Sequence, residues 1–344
     1  MSLSDQTPDQ LLEIFRSQRR NAQLALYVGA KLDEAGREEE AVAIWSLGDD
    51  INPGLRQAKD DPQAPAEMRA HSARADEVFR RFFSDLHRRT VEEFGAREGA
   101  DVSRVRNAVW SMTHDADFAF QAPMQQPTVF YMPDLPASPS IPRSELRWAA
   151  AIEAAWHDIR REYEQAARDT RMMEPYVPAD IPAPEWQKLS GTLDWSAIYL
   201  FEKSRPTGLE KHFPKTMAAF ETADLVRVDG NPMEIFFSRL TPGAHIPPHH
   251  GLTNTRLTVH LPLIVPDDCA IRVGESEFHW TEGEILAFDD SYEHEAWNRS
   301  DRDRVVLIFE THHPDLSEAE KRAIEHAYTA RQKWLDRRET LLGL

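Results

Sequence analysis

The sequence predicts an α+β protein: a helical amino-terminal third, then a β-rich part of jelly-roll sandwich or barrel type. Three observations carry this. Apolar residues recur at helical spacing through about the first hundred residues. The later pattern changes to short alternating or β-branched runs: SAIYLFEK, MEIFFSRL, RLTVHLPLIV, AIRVGESEFHW, EILAFDD and RVVLIFE. Gly, Pro, Asn and Asp turns separate them, as in a β-sandwich or barrel. Between the two parts lie two proline clusters, QAPMQQPTVFYMPDLPASPSIPRSEL and PYVPADIPAPEW, which read as extended connectors.

Each helix has its own signal. Thr7-Pro8 opens the first, with Leu11, Leu12 and Phe15 on one face and proline at the tolerated first position. LALYVGAKLDEAGREEEAVAIWSLGDDINP reads as a hairpin broken at Gly36 and ended at Pro53. Tyr27, Gly36, Ala41 and Pro53 fall near the landmarks of a tetratricopeptide repeat. There is no clean second copy, so an ordinary helical hairpin is an equal reading. Val78, Phe79, Phe82, Phe83, Leu86, Val91 and Phe94 form the stripe of a longer helix and read as core. SELRWAAAIEAAWHDIRREYEQAARD is a further helix. Ser317 with Glu320 forms a capping box for a last one, residues 318 to about 341.

Composition bounds the partners. The chain has 344 residues, enough for about two domains. Its net charge of −18 argues against non-specific nucleic-acid binding and against docking on an anionic membrane. One cysteine, Cys269, excludes an intrachain disulfide and a cysteine zinc knuckle, and fits a reducing compartment. The amino terminus lacks the apolar core of a signal peptide, and no stretch has the roughly 18 apolar residues of a membrane span. The expectation is a cytoplasmic protein without membrane or nucleic-acid partners. The amino-terminal helices are expected to pack on the β-rich part or to offer a groove to a protein partner.

The chemistry concentrates in two strings. MEIFFSRLTPGAHIPPHHGLTNTRLTVHLPL holds His245, His249, His250 and His260. Alternation puts Arg256, Thr258 and His260 on one strand face and Leu257, Val259 and Leu261 on the other. Such a face is either wet or lines a pocket. FDDSYEHEAW brings His294 among acids, and Arg304 opens the strand RVVLIFE. Two imidazoles on facing strands can hold a redox-active iron and leave sites for a co-substrate and O₂. The planar fork of Arg304 can clamp a carboxylate. Together they favour a pocket, and point to a non-haem iron oxygenase that consumes 2-oxoglutarate.

PHHGLTNTRL with the following His260, and FDDSYEHEAW, resemble the aspartyl/asparaginyl β-hydroxylase family of Fe(II)/2-oxoglutarate oxygenases. The resemblance starts near Tyr131, at YMPDLPASP, and runs through IEAAWHDIRREY and DWSAIYLFEKS to THHPDLS. It implies a double-stranded β-helix, the cupin-like jelly-roll, over residues 126–344, with residues 1–125 as a separate helical region. It implies His249 and His294 as iron ligands, with Gly251 where many iron oxygenases place a carboxylate. His250 is expected to point away from the metal. Asp290 corresponds to a catalytic acid that orders water at the metal. Arg304 with Ser238, and His260, correspond to the residues that bind 2-oxoglutarate. Arg256 corresponds to a basic residue near the substrate. Animal members carry a further arginine where this chain has Thr258, a departure that bears on recognition of an aspartyl side chain.

The implied reaction consumes Fe(II)-bound 2-oxoglutarate and O₂, releases succinate and CO₂, and hydroxylates an unactivated C–H. The implied substrate is the β carbon of an Asp/Asn-type residue in a peptide, a free amino acid or a natural-product intermediate. Lipid A hydroxylases resemble the family too, but the lack of a membrane anchor points away from lipid. Halogenation on the same iron centre is one alternative. A non-catalytic cupin-like metal-binding or sensor protein is another, although such a protein has no need of a carboxylate clamp. A zinc hydrolase lacks support, since no HExxH pattern occurs.

Overall fold

Thr7 caps the first helix, Pro8–Ser17. Its hydroxyl accepts from Gln10 N, the Gln10 side chain accepts from Thr7 N, and Leu11, Leu12 and Phe15 are buried. The computed structural model describes residues 3–179, 181 and 183–344. Gly36, at φ +77°, turns the chain between helices Ala22–Glu34 and Glu38–Ile51. That left-handed conformation costs glycine little. Trp45 is fully buried against Gly29, where any Cβ would overlap the indole. Helix Ala66–Glu98 buries Val78, Phe79, Phe83, Val91 and Phe94. Phe82 and Leu86 are partly covered.

The chain forms two compact units, Met1–Phe118 with Glu318–Leu344, and Ala119–Ser317. This corrects the division at residues 125 and 126. The final helix, Glu318–Leu341, belongs to the helical unit. Its Trp334 shares the core of Phe15 and Phe83, with the Trp334 and Phe83 rings 5.0 Å apart. Arg104 donates to both Glu320 oxygens at 2.7 and 2.9 Å. Among the described residues no helix is long and apolar enough to cross a membrane.

His87 makes the helical unit acid-sensitive. Its buried Nε2–H donates to Val105 O at 2.8 Å, and its Nδ1 accepts from Trp110 Nε1 at 3.2 Å. A second ring proton would face the indole N–H. Burial pushes the His87 pKa from 6.5 down to about 4. The unfolded chain therefore protonates first. Stability is whole above about 6.5 and is lost as pH falls toward 4, by roughly 3 kcal/mol. Denaturant midpoints of wild type and His87→Gln measure this. The variant should lose less stability across that window, and parallel curves would clear His87 of the role.

In the second unit nine strands matter for the site: β1 Trp195–Glu202, β2 Ile235–Leu240, β3 His245–His249, β4 Arg256–Ile264, β5 Cys269–Val273, β6 Ser276–Phe278, β7 Leu286–Phe288, β8 His294–Asn298 and β9 Arg304–His312. The larger sheet runs Ser140–Ile141, β7, β4, β9, β2, β1, Glu174–Pro175, and Arg205–Pro206 pairs with β1. The smaller runs β3, β8, β5, β6. The pairings are antiparallel. This two-sheet arrangement is the jelly-roll, or double-stranded β-helix.

Alternation sorts the side chains. Val305, Leu307 and Phe309 of β9 join Leu257, Val259 and Leu261 of β4 in a core closed by Ile152, Ile159 and Tyr163 of helices Ala149–Ala154 and Trp156–Ala166. Val306 and Ile308 face the other way, toward Ile246, Ile271 and Phe288 between the sheets. The first proline cluster proves more than a connector. Thr128 N and Val129 N bond to Gly251 O and Leu252 O, and Gln126 N bonds to Ser291 O, so it braces both site loops. In the second cluster Asp180 and Pro182 lie outside the described residues.

Candidate active site

The two histidines meet because β3 is bulged. His245 pairs with Trp297 and Ile246 with Ala296, but His249 pairs with His294. One extra residue therefore lies on β3, at Pro247-Pro248, which cannot donate to a ladder. The bulge turns His249 inward. The His249 and His294 rings stand 4.0 Å apart. Each Nδ1–H donates to the carbonyl two residues earlier, Pro247 O at 2.8 Å and Tyr292 O at 2.9 Å. That fixes the tautomer and leaves both Nε2 lone pairs available, as metal-binding imidazoles require. Burial pushes both pKa values down to about 4, which favours the neutral form.

Asp290 stands beside them. Its Oδ2 accepts from Thr258 Oγ1 at 3.0 Å, its backbone O accepts from Gly251 N at 2.6 Å, and its Oδ1 has no partner. Burial raises its pKa. Asp290 also explains Gly251, because a Cβ at that position would overlap the Asp290 carboxylate. Gly251→Ala should therefore cost about 1–3 kcal/mol by overpacking. A denaturation cycle with Asp290→Ala checks it: the double variant should recover most of that loss. Additive losses would mean that the glycine serves something else.

A cavity of about 320 Å³ joins these groups to the rest of the sequence-predicted set. Ser238, Arg256, His260 and Arg304 all line it with His249, His294 and Asp290. His250 borders it too. β3 ends at His249, so strand alternation does not carry His250 to the opposite side.

Arg304 is 1% exposed and has no carboxylate partner among the described residues. Its Nη1 donates to Ser238 Oγ at 3.4 Å, and Trp195 Nε1 donates to the same oxygen at 3.0 Å. Its guanidinium lies 4.8 Å from the Trp280 ring centroid, and its Nε lacks an acceptor. Burial pushes its pKa down to about 10. His260 is buried with an unpartnered Nδ1, and its pKa falls well below the usual range through burial and the Arg304 charge. A buried cation beside orphaned donors is a costly arrangement that a bound carboxylate would relieve. The residues present thus fit a metal held by two imidazoles and a 2-oxo acid held at Arg304. Among the described residues no cluster of three or more His, Cys, Asp or Glu could hold a metal.

Sequence reasoning missed the other end. Arg256 forms an ion pair with Glu310 at 3.0 Å, both side chains about nine-tenths buried. Glu234, Tyr176, Trp195 and Phe236 also line the cavity. The signal for Glu310 was present: alternation from Arg304 through Val306 and Ile308 arrives at it. Glu234 stands in the same relation to Phe236 and Ser238.

Residues 153–314 match the family model described as aspartyl/asparaginyl beta-hydroxylase. The chain is 31% identical over 182 residues to the mouse aspartyl/asparaginyl beta-hydroxylase, covering 52% of this chain and 24% of that one. It is 39% identical over 166 residues to the ornithine lipid ester-linked acyl 2-hydroxylase of Rhizobium tropici, covering 47% and 56%. It is 30% identical over 216 residues to the human aspartate beta-hydroxylase domain-containing protein 2, covering 60% and 55%. The chain thus spans between a quarter and rather more than half of the length of these relatives. Over residues 153–314 it carries a domain of the aspartyl/asparaginyl beta-hydroxylase family.

Proposed function

We propose that this protein is an Fe(II)- and 2-oxoglutarate-dependent hydroxylase of an unactivated C–H. The observation that carries this reading is Arg304, a buried guanidinium without a carboxylate, in the same cavity as two Nδ1-anchored histidines. His249 and His294 would hold the iron. Arg304 and Ser238 would take the distal carboxylate of 2-oxoglutarate, and His260 its other carboxylate. Iron and co-substrate, when bound, would supply the oxidation, in which O₂ and 2-oxoglutarate give succinate, CO₂ and one oxygen atom for the substrate C–H. The chain's own contribution is position and electrostatics. Asp290 offers Oδ1 as an acceptor beside the imidazoles. Phe288 and Ile271 keep the cavity apolar around them.

Hydroxylation is favoured over halogenation by Asp290. Its carboxylate fills the space beside Gly251 that a halide would need, and would repel an anion there. The relatives' names offer an aspartyl or asparaginyl residue and an ornithine lipid acyl chain as substrate classes. The lipid therefore stays within the test despite the earlier expectation. The β carbon of an Asp/Asn-type residue is the first position to examine. The test is mass spectrometry of peptides, amino acids and lipid extract incubated with the protein, Fe(II), 2-oxoglutarate and O₂. The expected result is succinate formation matched by gain of one oxygen atom in a substrate. Succinate release unaffected by every extract, together with no oxygenated product, would sink the reading.

A further inference from the structure

The cavity is zoned by charge along the register of the larger sheet. Val306 faces Ser238, Ile308 faces both Phe236 and His260, and Glu310 faces Thr258. Arg304 precedes the first of these rows and Glu310 closes the last. Four residues of one strand face thus run from a cation to an acid over about 20 Å. At the acidic end Glu234, Asp290 and Glu310 line the cavity with Arg256 as the one arginine or lysine at that end among the described lining residues, while the charge of Lys203 acts on Glu234 from outside the lining. Arg256 pairs with Glu310, and Asp290 bonds to Thr258 near the histidines. Glu234 makes no ion pair among the described residues; its bond is to the Lys203 backbone. The ring of Tyr176 lies 5.5 Å from that of Phe236 and is stacked at 3.8 Å on Trp195.

We propose that the substrate presents a cationic group, an ammonium or guanidinium of the kind a basic side chain carries, to Glu234 and Glu310 at this end of the cavity. The proposal rests on the hydroxylase reading, since it names the part of the substrate that the site holds. An anion placed there would meet three carboxylates and one arginine already paired. A cation meets the same three carboxylates, and the aromatic residues Tyr176 and Phe236 line the cavity beside them. Burial pushes the Glu310 carboxyl up to about 7, with Arg256 opposing and Asp290 and Glu234 adding to the rise. Burial is the larger cause of that rise, and the neighbouring acids add to it, so a cation brought here would favour the charged form. Without that charge the cluster gains nothing from being buried.

The probes are the N-acetyl amides of lysine, arginine, glutamine and glutamate, titrated by ligand-observed NMR into the full chain without iron or 2-oxoglutarate. The lysine or arginine probe should bind at least about tenfold tighter than the glutamate probe, a difference that one well-placed charge supplies. Which of the two leads identifies the cation. Glu234→Gln should bring the leading probe close to the glutamine probe. Glu310→Gln should shift preference toward glutamate, because Arg256 loses its carboxylate. Glu234, outside the central strands, serves as the check if Glu310→Gln does not fold. Equal binding of all four probes, binding of none, or a lead for glutamate overturns the proposal. The hydroxylase reading is scored separately, by the absorbance of the Fe(II)·2-oxoglutarate chelate. A chelate band with glutamate leading removes only the charge proposal; a basic probe leading with no chelate band removes only the hydroxylase reading.

Discussion

Alanine at either His249 or His294 is expected to abolish turnover and to weaken Fe(II) binding more than about a hundredfold, beyond the 10–100-fold that the outer partners of metal ligands contribute. The expectation rests on their direct cross-strand pairing and on the carbonyl anchors that free both Nε2 atoms. With two protein ligands rather than three, losing one leaves a single imidazole, which has no chelate geometry. His250→Ala is the control. His250 borders the cavity but has no carbonyl anchor of that kind among the described residues, so its removal should leave the affinity within a few fold. Anaerobic Fe(II) titration of the three variants decides the matter. Unchanged affinity in both ligand variants would take the metal site away from this pair of strands.

The site was legible where residue type and strand period agree. His260, Thr258 and Arg256 share a face in the string RLTVH, and the structure puts all three on the cavity. The β9 alternation also divided correctly into a core face and a cavity face. Three features were hidden for physical reasons. The bulge at Pro247-Pro248 depends on pairing with β8, which a single strand does not reveal. The last helix has an amphipathic stripe that any apolar surface could cover, and its place beside Phe83 is settled only by packing. Alternation puts Glu310 on the Arg304 face, but its pairing was hidden, because Arg256 is brought 3.0 Å away only by the neighbouring strand. Local pattern thus marked the Arg304 end of the cavity, where the unusual residues are His and Arg. It missed the acidic end, whose residues look common one at a time.

Arg304→Ala should cost roughly 3–5 kcal/mol of 2-oxoglutarate binding, over a hundredfold, by leaving a buried carboxylate unpaired. Fe(II) binding should persist, because the arginine is not a ligand. Arg304→Lys should recover little, since an ammonium lacks the planar fork. The fold adds a second, opposite effect. The buried guanidinium has no carboxylate partner among the described residues, and burial pushes its pKa down to about 10. The folded state therefore disfavours the charge that the unfolded chain solvates, by roughly 3 kcal/mol before attraction to the Trp280 ring offsets part of it. Arg304→Met, which keeps an apolar stem in the space, should raise the denaturation midpoint of the co-substrate-free protein while eliminating the chelate band. Added 2-oxoglutarate with a non-oxidising metal should stabilise the wild type and leave the variant unmoved. Equal 2-oxoglutarate affinity in wild type and variant would remove Arg304 from the site. A variant that loses both co-substrate binding and stability would show that the arginine is held by the fold for packing, because a cation waiting for a carboxylate must cost stability until the carboxylate arrives.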